Sequence, residues 1–562
     1  MKTRLMLNIV FAVVSVAALM LSACAPAATP APFVAQSKSA ATSAPAQPPR
    51  AAAPTQAPAP TSAPAAFAAT PIPVAVVSRP GSAGQVIVTP RSQTPNPDLP
   101  PESWPADMFF KQYGVNPLID TKEEHLSTFA MDVDTASYTV MRKYITDGRL
   151  PPADSVRVEE YVNYFNYDYP SPETGAFAIH LEGAPSSFRE GYYLLRVGLQ
   201  GKRIDASQRK DAVLTFLIDV SGSMSDNNKL EMVKKALGML VDELRPADTV
   251  GIVVFTTQAR EVLQPTSASE KSRIMSVVNS LRPENTTNVQ DGLTLAYKMA
   301  SRAYRKGLIN HVILCSDGVA NVAGTDANTI LAQAKEYAGR NITLSTVGVG
   351  MGNYNDVLLE QLADKGNGNY AYVDTLEQAH RVFVENLTGM LQVIAKDAKV
   401  QVDFNPAVVS RFRLIGYENR AIENKDFRND AVDAGEVGAG HNVTALYEVK
   451  FKDEVPPSAS AQGNALIVYV RYQDVETSQV REINQTFGRA QFASAFDAAS
   501  PRFKLAAAVA EYAEILRGSF WAKGSSLENV QGLAQRVKQA LPNDKDVAEF
   551  ADLVSRASRL RK

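Results

Sequence analysis

The chain has 562 residues, with 57 Lys and Arg against 59 Asp and Glu and a formal net charge of -2. This balance carries no basic footprint for nucleic acid, and 45% apolar residues suffice for several hydrophobic cores. Two cysteines, Cys24 and Cys315, exclude a disulfide framework. Five histidines, none at a paired metal-ligand spacing, argue against a zinc enzyme.

Met1 to Cys24 reads as a secretion signal. Lys2 and Arg4 precede an uncharged apolar run from Leu5 to Leu21 that is too short and wrongly flanked for a membrane span. The run ends in Leu21-Ser22-Ala23-Cys24, which resembles the bacterial lipobox, in which the Cys is diacylated and the peptide before it removed. The resemblance implies that Cys24 is the lipidated mature N-terminus, holding the protein on the extracytoplasmic side of a membrane. Cys315 lies in the apolar run His311-Val-Ile-Leu-Cys315 and is expected to be a small buried hydrophobe.

Residues 25–103 are dominated by Ala, Pro, Thr and Ser, as in Ala53-Pro-Thr-Gln-Ala-Pro-Ala-Pro60. Such a composition buries too little to offset ordering entropy, so a disordered tether is expected, with a polyproline reach on the order of 200 Å. Globular sequence begins at Trp104, and 104–210 forms a flanking region of helices and strands. Its first helix is predicted from Thr135, as N-cap, to Asp147, with Gly148 as the stop and Pro151-Pro152 beyond. A second carries Val158, Tyr161, Val162 and Phe165 on one face, and Tyr192 to Leu199 is a strand candidate.

Between 211 and 391 apolar runs alternate with amphipathic helices. Val213 to Ile218, Val250 to Phe255, Val312 to Cys315 and Ile342 to Val349 have the length and continuity of parallel strands covered on both faces. A helix with Leu230, Val233, Leu237, Leu240, Val241 and Leu244 on one face separates the first two. This pattern predicts an α/β fold with a doubly wound, mostly parallel sheet. Residues 395–485 read as a β-rich domain with strands at Lys399–Phe404, Val443–Lys450 and Leu466–Tyr472. Residues 486–562 read as helical, with a stripe of Phe503, Ala506, Val509, Tyr512, Ala513 and Leu516.

The first central strand runs into Asp219-Val-Ser221-Gly-Ser223, three hard oxygen donors at alternate positions after a buried strand. Hard oxygens suit Mg²⁺, Mn²⁺ or Ca²⁺, and the carboxyl edge of an open α/β sheet is where ligands bind. Alone, Asp-x-Ser-x-Ser is a weak pattern, since these residues also cap helices and turns. Downstream, Asn285-Thr286-Thr287-Asn288 precedes a helix, and Asp317 follows another buried strand.

In that order the three elements resemble the metal-ion-dependent adhesion site of von Willebrand factor type A domains. The resemblance implies that Asp219, Ser221, Ser223, Thr287 and Asp317 hold the cation, and that an acidic group of a protein partner completes its shell. Thr286 is a competing register for Thr287; Thr-Asn followed by an apolar residue favours Thr287. Glu284-Asn285 stands where many relatives have Gly-Gly.

The likeness extends further. Phe129-Ala-Met-Asp132-Val-Asp134-Thr135, Arg157-Val-Glu-Glu160 and Asn163-Tyr-Phe165 resemble the segment that precedes the type A domain in a family of bacterial lipoproteins. The region after Ala395 resembles that family's C-terminal domain of unknown function. Members are often labelled calcium-activated chloride channel homologues, but no stretch after Cys24 could line a pore. The resemblance implies a β-sandwich formed by strands before and after an inserted type A domain, and a binding protein rather than an enzyme. Two other readings are a passive envelope scaffold and a haloacid dehalogenase-type phosphatase centred on Asp132-x-Asp134. The second lacks the expected Thr or Val four places on, where Ala136 stands, and no Gly-x-Ser-x-Gly elbow supports a serine hydrolase.

Overall fold

Four strands, β1 (Ile119–Asp120), β2 (Leu126–Ala130), β3 (Phe177–Pro185) and β4 (Tyr193–Gly201), precede the central segment. The central segment contributes β5 (Ala212–Asp219), β6 (Thr249–Phe255), β7 (Ala259–Ser267), β8 (Ile309–Ser316), β9 (Thr343–Val349) and β10 (Tyr370–Val373). After it come β11 (Val393–Phe404), β12 (Val409–Ile415), β13 (Gly435–Gly438), β14 (Asn442–Phe451), β15 (Asn464–Asp474) and β16 (Val480–Gly488). This computed structural model describes residues 110–131, 133–284, 288–318, 327–351, 355–453 and 463–561. The signal, Cys24, the tether, Asp132, Thr286 and Thr287 lie outside the described residues.

The central sheet has the order β10-β9-β8-β5-β6-β7, parallel throughout except for β7, which runs antiparallel to β6 at one edge. Every residue of β5 and β6 is buried, as the unbroken apolar runs predict for strands covered by helices on both sides. The helix Lys229–Glu243 buries Leu230, Val233, Leu237, Leu240 and Val241 against one face. Edge strand β7 carries Pro265, which lacks an N–H, beside a shift in its pairing with β6; an edge tolerates this where a central strand would not.

Strands from both sides of the central domain share two antiparallel sheets. One has the order β1-β12-β14-β4-β3, and β4 pairs with β14 from Tyr193↔Val449 to Asn442↔Gln200. The other has the order β13-β11-β15-β16, and β2 pairs with β11 from Leu126↔Asp403 to Ala130↔Lys399. Phe129, Leu195, Val197, Val400, Val402, Phe404, Phe412, Tyr447 and Val468 belong to their common core. The central domain is therefore an insertion in a β-sandwich, the arrangement the family resemblance implies.

The helix Ala136–Thr146 is buried on two sides. Ala136, Val140 and Tyr144 pack into the central domain, while Tyr138, Met141 and Ile145 join a core built with the helices Val158–Asn163, Pro501–Leu516, Leu527–Ala540 and Lys545–Leu560. Its end matches expectation, with Gly148 at φ +80, a conformation that suits a residue without Cβ. Its start does not. Thr135 makes no side-chain cap; the Ser137 backbone N–H instead donates to Glu160 Oε2 at 2.8 Å, so a carboxylate from the next helix satisfies the terminus. Among the described residues no helix is long and apolar enough to cross a membrane.

Candidate metal centre

Strands β5 and β8 are parallel neighbours, with Ile218 opposite Cys315. The chain leaves β5 for β6 on one side and later returns to β8 on the other, so their carboxyl ends flank the switch point of the sheet. Asp219 ends β5, and Asp317 follows directly on β8. The fold thus brings two acids 98 positions apart in sequence to one edge.

The site's oxygens are already linked. Ser221 N–H donates to Asp219 Oδ1 at 2.8 Å, the Ser221 and Ser223 hydroxyls are 3.1 Å apart, and Ser223 Oγ donates to Asp317 Oδ1 at 3.1 Å. Asp219 is 0% exposed and Asp317 2%. Burial first, and then the Asp317 carboxylate, push the Asp219 carboxyl up to about 6. A divalent cation would relieve both effects by favouring the ionised form. Two carboxylates and two hydroxyls form a hard donor set suited to Mg²⁺, Mn²⁺ or Ca²⁺. Among the described residues no group of three or more His, Cys, Asp or Glu could hold a metal, so a cation here depends on the hydroxyls.

Thr287 lies outside the described residues, but the chain on either side is fixed at this edge. Glu284 N–H donates to Val220 O and Asn288 N–H to Thr256 O, each at 2.6 Å. Glu284 pairs with Arg260 of β7, so the loop approach is held by an ion pair.

Two residues escaped the sequence reading. Ser316, fully buried, donates its hydroxyl to Asp219 Oδ2 at 2.7 Å. Lys229 places Nζ 2.8 Å from Asp317 Oδ2. Ser316 directly precedes Asp317, a signal that was available; nothing in the local pattern marked Lys229 as buried.

The phosphatase alternative loses its structural premise. Strand β2, which leads towards Asp132, pairs antiparallel with β11 in the sandwich instead of ending at a parallel sheet edge. Asp134 accepts the Tyr370 backbone N–H at 2.8 Å and Arg420 Nη2 at 3.2 Å, contacts that anchor it structurally. Cys315 is buried as expected, and burial pushes its thiol up to about 12, which makes it inert as a nucleophile.

The family described as von Willebrand factor type A domain matches residues 214–386. The family "Uncharacterized protein YfbK, C-terminal" matches residues 389–560, and one described as von Willebrand factor matches residues 105–196. The uncharacterized protein YfbK of Escherichia coli (strain K12) is 36% identical over 469 residues, which span 81% of each chain. The chain belongs to the YfbK family. Inter-alpha-trypsin inhibitor heavy chain H4 of Homo sapiens is 26% identical over 196 residues, 34% of this chain and 20% of that one. The solved von Willebrand factor type A protein from Catenulispora acidiphila is 17% identical, covering 67% of this chain and 89% of that chain with a TM-score of 0.40. In this YfbK-family chain Asp219, Ser221, Ser223 and Asp317 therefore lie within a type A domain, a class that commonly mediates metal-dependent protein–protein interaction and is generally not enzymatic.

Proposed function

We propose that the protein binds a protein ligand through a divalent cation held by Asp219, Ser221, Ser223, Thr287 and Asp317. The observation that carries this reading is the continuous link Asp219–Ser221–Ser223–Asp317 at the carboxyl edge of the sheet. These five oxygen donors leave one place of an octahedral shell open, and an Asp or Glu of the partner fills it. Mg²⁺ is the favoured ion because it demands a six-coordinate octahedral oxygen shell, with Mn²⁺ and Ca²⁺ compatible. The chain's own residues do no bond-making chemistry in this scheme; they hold, orient and partly neutralise the ion.

The lipobox-like Leu21-Ser22-Ala23-Cys24 supports placement in the cell envelope, with Cys24 lipidated and the type A domain presented at the end of the 25–103 tether. Cys24→Ala is expected to release the protein from the membrane fraction; retention would contradict the anchor. Cross-linking and pull-down from membranes tests the binding role. A partner captured with Mg²⁺ should be lost with EDTA and in Asp219→Ala. Capture unaffected by both would favour the passive scaffold.

A further inference from the structure

Lys229 opens the helix after the metal-site turn, yet its side chain is only 4% exposed. A lysine is rarely buried this fully without a partner, and its partner is a carboxylate of the site itself. Nζ lies 2.8 Å from Asp317 Oδ2, while Oδ1 of the same carboxylate accepts the Ser223 hydroxyl at 3.1 Å. The stem has little room to swing away. It lies against Gly350, where an added Cβ would come within 2.5 Å of Lys229 Cε and 2.7 Å of Cγ and Cδ. Gly350 also sits at φ +76, so a glycine there fits both the backbone and the lysine stem.

The charges have a consequence for ligand binding. Asp219 and Asp317 bring two negative charges, and Lys229 returns one positive, so a divalent ion at this site faces a net charge of minus one rather than minus two. The ammonium repels the incoming cation and competes with it for Asp317, and both effects are strong where water is excluded. We propose that Lys229 is a built-in counter-charge that weakens the site's hold on a cation alone and makes an anionic ligand necessary for tight binding, so that cation and acidic partner bind cooperatively. The inference rests on the cation site proposed above. By linkage, the factor by which the anion tightens the cation is the factor by which the cation tightens the anion.

The test is Mn²⁺ titration of the full chain, with free Mn²⁺ read by electron paramagnetic resonance, in the absence and presence of acetate as the carboxylate probe. Lys229→Gln keeps a hydrogen-bond donor and removes the charge. It is expected to tighten Mn²⁺ binding about tenfold and to shrink the effect of acetate. Lys229→Arg keeps the charge and is expected to stay within about threefold of wild type. Lys229→Gln binding Mn²⁺ equally or more weakly than wild type would overturn the proposal. Thermal melting without metal reports folding; should Lys229→Gln not fold, Mn²⁺ must restore its transition, and failure to do so also overturns the proposal. Asp219→Ala separates the two layers. If it binds Mn²⁺ as wild type does, the site itself is wrong; if it loses binding while Lys229→Gln matches wild type, only the role of Lys229 falls.

Discussion

Ser316 and Asp219 sit on adjacent parallel strand ends, and the serine hydroxyl donates to Oδ2 of the aspartate at 2.7 Å. With Ser221 N–H on Oδ1 at 2.8 Å, both oxygens of a fully buried carboxylate are oriented before any cation arrives. Ser316→Ala removes one of these donors from a charged group. The expected cost is roughly 1.5–3 kcal/mol of stability, read by urea denaturation. Mn²⁺ affinity should fall about tenfold, since a loss of about 1.4 kcal/mol in orientation translates to that factor. An unchanged denaturation midpoint would show that the bond contributes nothing.

The inserted domain is tied to its surroundings by buried charge. Arg157 Nη1 donates to Asp356 Oδ2 at 2.5 Å and Nε to Glu160, with all three side chains at most 4% exposed. Asp356 also accepts the Tyr370 hydroxyl at 2.6 Å. Arg157→Met leaves these carboxylates uncompensated and is expected to destabilise by about 3–5 kcal/mol. Adding Asp356→Asn should recover part of that loss. A single-variant cost below about 1 kcal/mol would mean the network is not load-sharing as described.

Two histidines predict acid sensitivity. Burial lowers both His311 and His441 to about 4. The unfolded chain takes up these protons near 6.5 and the folded chain only near 4, so stability is full above pH 6.5 and declines as pH falls towards 4. Each group accounts for roughly 3 kcal/mol across that window. Urea denaturation at pH 7 and pH 5 should show the decline, and His311→Leu should shrink it. A pH-independent midpoint in the wild type would contradict the burial of these rings.

Much of this architecture was legible in the sequence because parallel strands covered on both faces leave continuous apolar runs: Val213 to Ile218 and Val250 to Phe255 fall inside β5 and β6. Strands β7 and β16 left no such signal. Arg260, Glu261 and Gln264 in one, and Arg481, Glu482 and Asn484 in the other, face solvent or half-buried edges, where alternation is weak. The pairing of β4 with β14 joins residues some 250 positions apart and could be reached only through the family resemblance. At the site, Asp219, Ser221, Ser223 and Asp317 come together as the motif implied. Lys229 was missed because a lysine at a helix start ordinarily signals an exposed position; its burial arises from Gly350 and Asp317, which the fold brings in from other strands.

Calorimetric titration of the full chain with Mg²⁺ and Mn²⁺, wild type beside Asp219→Ala, tests the central claim most directly. The wild type is expected to bind one cation and Asp219→Ala to lose it, with thermal melting confirming that the variant stays folded. Equal cation affinity in the two proteins would contradict the claim.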